Sequence, residues 1–307
     1  MAVKSATIYN LKWIHISAIS DEDIGYLEQR FRFHPLDIRD CREGVQRSKL
    51  DIYPNYLFMI FHFPDFNPET LRVTSVPLNV FLGKKFIITL TSEPDDVLES
   101  YFSRLRKKTK RKFKYDQLKN SSGYLLYKIL DIRYHKSLPV INDIGRFLPD
   151  VEEEVFSNRN KEATTDLAII RRNILGLRRI LEPQLFMVGK LVDFKSPLIA
   201  DKLSVYFDDV HDYLENIWSA LESYRDTING LYDTNESLTN QKTNEVIKTL
   251  TIISVALLPM TLVASIYGMN VEGLPFANHP IGLWLIFLVM GIIVAGSIYF
   301  ARRNNMI

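Results

Sequence analysis

Apolar residues recur at alternating spacings of three and four along one stretch of the chain: Phe207, Val210, Leu214, Ile217, Leu221, Tyr224, Ile228 and Leu231, continued by Asn235 and Leu238. This is the seam of a helix packed against partners. With no Pro before Pro259, it predicts one continuous helix from Leu203 to Asn270. At 1.5 Å per residue that helix would be roughly 100 Å long, about three times the hydrocarbon thickness of a bilayer. Its final part, Leu250 to Met269, is uncharged and mostly apolar; after a loop, Asn270 to His279, a second uncharged span runs from Pro280 to Phe300. Two membrane crossings are predicted.

A second row descends the same helix: Asp233, Ser237, Asn240, Asn244, Ile247, Thr251, Ser254, Leu258, Thr261 and Ser265. It starts polar and carries small hydroxylic side chains into the first span. Such groups on one face of a membrane helix pack against other helices or line water; alternatively they bond back to the preceding turn and tolerate lipid. One chain supplies a single wall, so a channel requires several copies around an axis, ordinarily a cyclic homo-oligomer. At the outer end, a ring of Asn270 carboxamides would present oxygens to the water shell of a strongly hydrated ion such as Mg²⁺. Gly268 permits close backbone approach there.

The first hundred residues alternate β-rich runs with turn residues. Strands are expected at Ala6 to Tyr9, Trp13 to Ser17, Tyr56 to Phe63, Arg72 to Leu82 and Lys85 to Thr91. A helix is expected from Asp21 to Gln29, capped by Ser20 with Asp23 three residues on, and a short one is opened by Phe33-His34-Pro35-Leu36-Asp37. The mixture implies an α/β domain. Asp95 to Lys114 reads as a helix ending in a basic run, Tyr124 to Phe156 and Lys161 to Val192 as two long helices, with Pro139, Pro149 and Pro183 expected to bend or interrupt them. Lys195, Ser196 and Pro197 break the chain before the long helix.

Composition adjusts this picture in a few places. At 307 residues with 47% hydrophobic and 24% charged, the chain has material for a soluble core and a small membrane part. Lys242 and Lys248 precede the first span and Arg302 and Arg303 follow the second, while the loop between them carries only Glu272. That asymmetry predicts a multi-pass protein of the plasma (inner) membrane with both termini in the cytoplasm, and the opening residues lack the apolar core of a signal peptide. The single Cys41 excludes an internal disulfide and a cysteine metal site within one chain. Arg104 to Lys114 holds eight positive charges, yet no aromatic platform alternates with them, so a solvated face rather than nucleic-acid binding is expected. Asp150, Glu152, Glu153 and Glu154 form an acidic tip between the two long helices, either plain surface or a field that concentrates cations.

The six histidines, His15, His34, His62, His135, His211 and His279, are scattered without ligand spacing and read as core or surface residues. No phosphate loop, HExxH or GxSxG motif is present, so no enzyme and no organic cofactor is expected. Asp208 and Asp209, near Asp201 and Asp212, are the carboxylates best placed to hold a hard cation such as Mg²⁺; the competing reading is that an acidic pair at a helix start favours its dipole.

The stretch Tyr267-Gly268-Met269-Asn270, preceded by Leu258-Pro259-Met260-Thr261 and followed by a short loop and a last helix with a basic tail, resembles the CorA family of magnesium transport channels. Phe33-His34-Pro35-Leu36 with Asp40-Cys41 is similar to that family's N-terminal segment. The resemblance covers essentially the whole chain. It implies a funnel-shaped homopentamer in membrane lipid, with an α/β cytoplasmic domain, a long helical stalk and two transmembrane helices per chain. The corresponding parts are residues 1–120 (α/β), 121–200 (willow-like helical hairpin), 201–249 (stalk), 250–269 (pore-lining span), 270–279 (external loop), 280–300 (second span) and 301–307 (basic tail).

The resemblance further implies inward passage of Mg²⁺, commonly also Co²⁺ and Ni²⁺. Gly268, Met269 and Asn270 would form the selectivity mouth, Asn244 and Thr261 polar pore positions, and Leu250 and Leu258, with Ile247, a hydrophobic gate. Asp209 would bind regulatory cytoplasmic Mg²⁺ against a neighbour's carboxylate, for which Asp65 and Glu93 are candidates. The loop departs from the family's Met-Pro-Glu-Leu continuation, having Val271-Glu272-Gly273-Leu274, which leaves Glu272 alone to attract cations. Two other readings stay open: a Zn²⁺ transporter of the same superfamily, possibly proton-coupled, and a non-conducting oligomeric scaffold or cation sensor.

Overall fold

The computed structural model describes residues 3–8, 10–44, 47–108, 121–157, 160–269 and 281–303. Six strands, β1 (Val3–Ile8), β2 (Leu11–Ser17), β3 (Lys49–Ile52), β4 (Tyr56–Asn67), β5 (Arg72–Gly83) and β6 (Phe86–Thr91), form one sheet in the order β1-β2-β6-β5-β4-β3. Among the described residues, β2 and β6 pair in parallel and the other neighbouring strands antiparallel. Both sheet faces are covered. Ile14, Ile16, Phe58, Ile60, Phe81, Ile88 and Leu90 pack with Ile24, Leu27, Ile38 and Cys41 of helices α1 (Asp21–Arg30) and α2 (Pro35–Glu43). The other face, with Trp13, His15, Phe61 and Phe63, lies under α3 (Asp96–Lys108), α4 (Ser122–Phe156) and α5 (Asn160–Val192). This double burial explains why β4 reads as a nearly unbroken apolar run from Tyr56 to Phe63.

Local chemistry sets the ends of the first helices. Ser20 and Asp23 close the expected capping box on α1. His34 caps α2, its Nδ1 accepting from Leu36 N at 3.2 Å, and Pro35 occupies the first turn, where no amide partner is needed. The phenol of Tyr56 accepts from His34 N at 2.8 Å and donates to the buried Asp37 carboxylate at 2.8 Å, which also accepts from Tyr53 at 3.0 Å. Burial pushes Asp37 above the ordinary carboxylate range, and the two phenols pull the other way. Asp95 caps α3 through Val97 N and Leu98 N and also meets Arg133 of α4 at 3.0 Å.

One strand is additional to those expected, and of the two effects expected of the prolines, interruption is absent. β3 is the additional strand: it is four residues long, and Lys49 is held between Asp40 at 2.5 Å and Asp51 at 2.6 Å. The prolines do not interrupt the long helices, since α4 continues through Pro139 and Pro149 and α5 through Pro183. Pro139 and Pro149 lie on the exposed side, where water can satisfy the freed carbonyls, while Ile141, Ile144, Leu148, Val151 and Val155 keep α4 packed along its other side.

A short 3₁₀ turn, Asp201–Leu203, leads into α6 (Ser204–Tyr267), and α7 (Gly282–Arg303) follows. α7 therefore takes in Arg302 and Arg303, expected in the tail, and ends past Phe300. Residues 1–232 form one compact unit and 233–307 another. Within the first, the seam of α6 is buried at Phe207, Val210, Leu214, Ile217, Leu221, Ile228 and Leu231. It is pinned to α4 by Tyr206 against Tyr124 and Tyr127, and to α5 by Arg178, which meets Glu222 at 2.6 Å and lies over the Trp218 ring at 4.8 Å.

Candidate functional site: the polar face of the long helix

In the second unit, α6 has two unlike sides. Ile252, Ala256, Pro259, Met260, Val263 and Tyr267 are half-buried. At about 100° per residue these share one side of the helix. Asn244, Ile247, Thr251, Ser254, Leu258, Thr261 and Ser265 fall on the opposite side and are all exposed. α7 of the same unit carries a half-buried stripe of its own at Ile286, Met290, Ile293, Val294 and Ser297. The residues predicted to line a pore are thus brought onto one uncovered face, with Leu250 at its edge, 63% exposed, and Leu258 within it, 66% exposed.

The hydroxyls on that face bond back along the helix: Thr251 Oγ1 donates to Ile247 O at 2.8 Å, Ser254 Oγ to Leu250 O at 2.9 Å and Thr261 Oγ1 to Leu257 O at 3.0 Å. Back-bonding is the alternative weighed from sequence, and it is present. It uses only the hydroxyl proton. The oxygen lone pairs remain as acceptors on the exposed side, suited to the hydrogens of a cation's water shell.

The helix ends close to its expected terminus. Gly268 N donates to Ala264 O at 2.8 Å, and Met269 N to Ile266 O at 3.3 Å in a tighter turn. Asn270, the loop 270–279 with Glu272, and residues 304–307 of the basic tail lie outside the described residues, as does the part of the α3 basic run beyond Lys108. Among the described residues, α6 is the one helix long and apolar enough to cross a membrane, and Trp284–Ser297 in α7 is a shorter apolar stretch.

At the other end of α6, Asp208 and Asp209 are exposed in its second turn. The first turn carries no acidic residue, so dipole compensation, which fades beyond that turn, accounts poorly for the pair. Asp209 lines a small polar pocket with Asp131, Tyr134, His135, Val210 and Tyr213. Asp131 there is already paired, with Lys128 at 3.0 Å and His135 at 3.2 Å. Asp65 and Glu93 meet in a different groove, shared with Asn67, Glu69 and Ser92; within one chain neither lines the Asp209 pocket.

The histidines sort as core and surface with one exception. His15 and His62 are buried, His34 is a helix cap, His135 stacks on Tyr213 at 4.8 Å, and His279 lies outside the described residues. His211 stands beside Asp212 and Glu215, with a ligand atom of each within 4.8 Å of the others. The sequence held that signal as a His-Asp-x-x-Glu run at helical spacing; a search for paired histidines or cysteines passes over it.

Residues 10–303 match the family model described as CorA-like Mg²⁺ transporter protein. The chain is 30% identical over 297 residues to the cobalt/magnesium transport protein CorA of Thermotoga maritima, covering 95% of this chain and 82% of that protein. Among solved structures it resembles the complete CorA magnesium transporter of Methanocaldococcus jannaschii, with a TM-score of 0.80 at 21% identity over 99% of this chain and 94% of that one. It also resembles full-length CmaX, a protein described from Pseudomonas aeruginosa as a divalent cation transporter, with a TM-score of 0.72 at 23% identity over 95% and 88% of the two chains.

Proposed function

Because the chain belongs to the CorA-like Mg²⁺ transporter family, a family of membrane transporters of divalent cations, we propose that it is a channel admitting hydrated Mg²⁺, with Co²⁺ and Ni²⁺, down the electrochemical gradient. The observation that carries this reading is the uncovered polar face of α6, opposite the half-buried stripe. Copies arranged around an axis, five of them in the family's architecture, would turn that face inward and their half-buried stripes outward toward α7 and lipid. Its acceptor oxygens would then meet the ion's water shell without stripping it, which spares the high cost of dehydrating Mg²⁺.

In this assembly Gly268, Met269 and Asn270 form the external mouth and Glu272 draws cations toward it. Leu250 and Leu258, with Ile247, form a constriction that stops ions when dewetted. Both termini lie in the cytoplasm by the Lys and Arg asymmetry, and entry is driven by the membrane potential, about 4.6 kcal/mol per 100 mV for a divalent cation. Cytoplasmic Mg²⁺ shared between Asp209, with Asp208 beside it, and a carboxylate of the neighbouring copy, Asp65 or Glu93, favours the closed state by binding it better than the open one.

The test is Mg²⁺ uptake into proteoliposomes under an inside-negative potential, native chain beside Asn270→Ala, with Zn²⁺ run with and without a pH gradient. Potential-driven Mg²⁺ entry that is lost in Asn270→Ala is the expected result. Entry of Zn²⁺ without Mg²⁺ would replace this reading with a zinc transporter, and entry of neither ion with a non-conducting scaffold.

A further inference from the structure

We propose that α6 carries, directly after Asp209, a site for a divalent transition metal, Zn²⁺, Co²⁺ or Ni²⁺, built from His211, Asp212 and Glu215. Ligand atoms of the three side chains already lie within 4.8 Å of one another. His211 and Glu215 are one turn apart, with Nδ1 and Oε1 at 3.9 Å. Tetrahedral ligands at about 2.0–2.2 Å from a shared metal lie about 3.3–3.6 Å apart, and a small rotation of the exposed Glu215 closes the difference.

The imidazole is seated before any metal arrives. α5 presents Gly189 beneath the ring, where even a single added Cβ would lie 3.0 Å from His211 Nε2. Nε2 is thereby turned toward α5, and Nδ1 faces Glu215. The His211 side chain is 24% exposed against 58% for Glu215, so the nitrogen ligand is held while the oxygen ligands adjust. Asp208 lies one turn earlier on the same side of the helix and extends the stripe.

The donor set decides the metal class. Mg²⁺ takes oxygen ligands and keeps its waters, whereas one imidazole with carboxylates suits Zn²⁺, Co²⁺ and Ni²⁺. A softer cation can therefore be read on the regulatory stretch of α6 by chemistry that Mg²⁺ does not satisfy. Binding is measured without flux, so the site stands or falls apart from the pore reading.

The experiment titrates Zn²⁺ calorimetrically into the full-length protein in detergent, with Mg²⁺ in large excess throughout. One Zn²⁺ per chain is expected, with affinity reduced about tenfold or more in both His211→Gln and Glu215→Gln. Glu215 is exposed, so Glu215→Gln tests the site even where a change at the packed His211 disturbs folding. Zn²⁺ binding that is abolished by the Mg²⁺ excess, or that is unchanged in both variants, would overturn the proposal.

Discussion

The carboxamide of Gln184 on α5 takes both main-chain groups of His62 on β4: Nε2 donates to the carbonyl at 2.6 Å, and Oε1 accepts from the amide over a long 3.4 Å. β3 pairs with β4 only as far as Ile60, so His62 lies past the end of its neighbouring strand. Its main-chain groups point away from β5, where Pro77 lies opposite. A helix side chain thus stands in for a missing strand residue, and Tyr134 OH donates to the same Gln184 oxygen at 2.9 Å.

Replacing Gln184 with Leu should therefore destabilise the folded chain by about 3 kcal/mol, since orphaned buried polar groups cost about 1–3 kcal/mol each. The His62 amide should also exchange its hydrogen faster than in the native protein. Denaturant unfolding in detergent and hydrogen exchange measure the two effects; an unchanged His62 exchange rate would show that the carboxamide is not the partner.

Two leucines on α6 should behave in opposite ways. Leu221 is fully buried and Leu250 is 63% exposed. Leu221→Ala should cost about 2–5 kcal/mol through lost burial and a cavity, whereas Leu250→Ala should stay within about 0.5 kcal/mol yet raise resting ion flux. Thermal unfolding and proteoliposome uptake on the same preparations separate the two.

Asp209→Lys should weaken closure by internal Mg²⁺, shifting half-inhibition of uptake upward by about tenfold, a typical size for coupling between sites. The carboxylate is exposed and makes no packing contribution to the seam, so folding should be unaffected. Inhibition identical to the native protein would remove Asp209 from the regulatory site.

His15 should make stability depend on pH. It is buried beside Trp13 and Phe102, with Nδ1 at 2.9 Å from Thr89 Oγ1, which also accepts from Trp13 Nε1. Burial holds its pKa below the ordinary 6.5, against the opposing pull of Asp95 and Glu99. Below pH 6.5 the unfolded chain takes up a proton that the folded chain resists. Stability contributed by neutral His15 is therefore full above 6.5 and declines as pH falls toward the folded pKa, with a slope of at most about 1.4 kcal/mol per pH unit. His15→Phe should flatten that part of the profile relative to native; parallel profiles between pH 5 and 6.5 would refute the assignment.

Much of the architecture was legible before folding. The α6 seam, the Ser20 cap, Pro35 in the first turn of α2 and five of six strands followed from periodicity and capping chemistry, which act over a few residues. β3 was not legible, because its four residues alternate Lys and Asp with apolar neighbours and owe their pairing to β4 and to Asp40. The polar row of α6 is legible from spacing alone, while the His211 group is not, because its exposed carboxylates have the pattern of ordinary helix surface.

What the sequence determined by itself was local: which segments are helix or strand, which stretch is apolar enough for a membrane, and which side of α6 is polar. Only the tertiary structure decided the sheet order, with β2 beside β6, the substitution of Gln184 for a strand, the seating of His211 over Gly189, and the side of α6 left uncovered. Each of these depends on which distant group removes a given surface from water or satisfies a given buried amide. Residue spacing sets a side chain's direction on its own element, but packing chooses its partner.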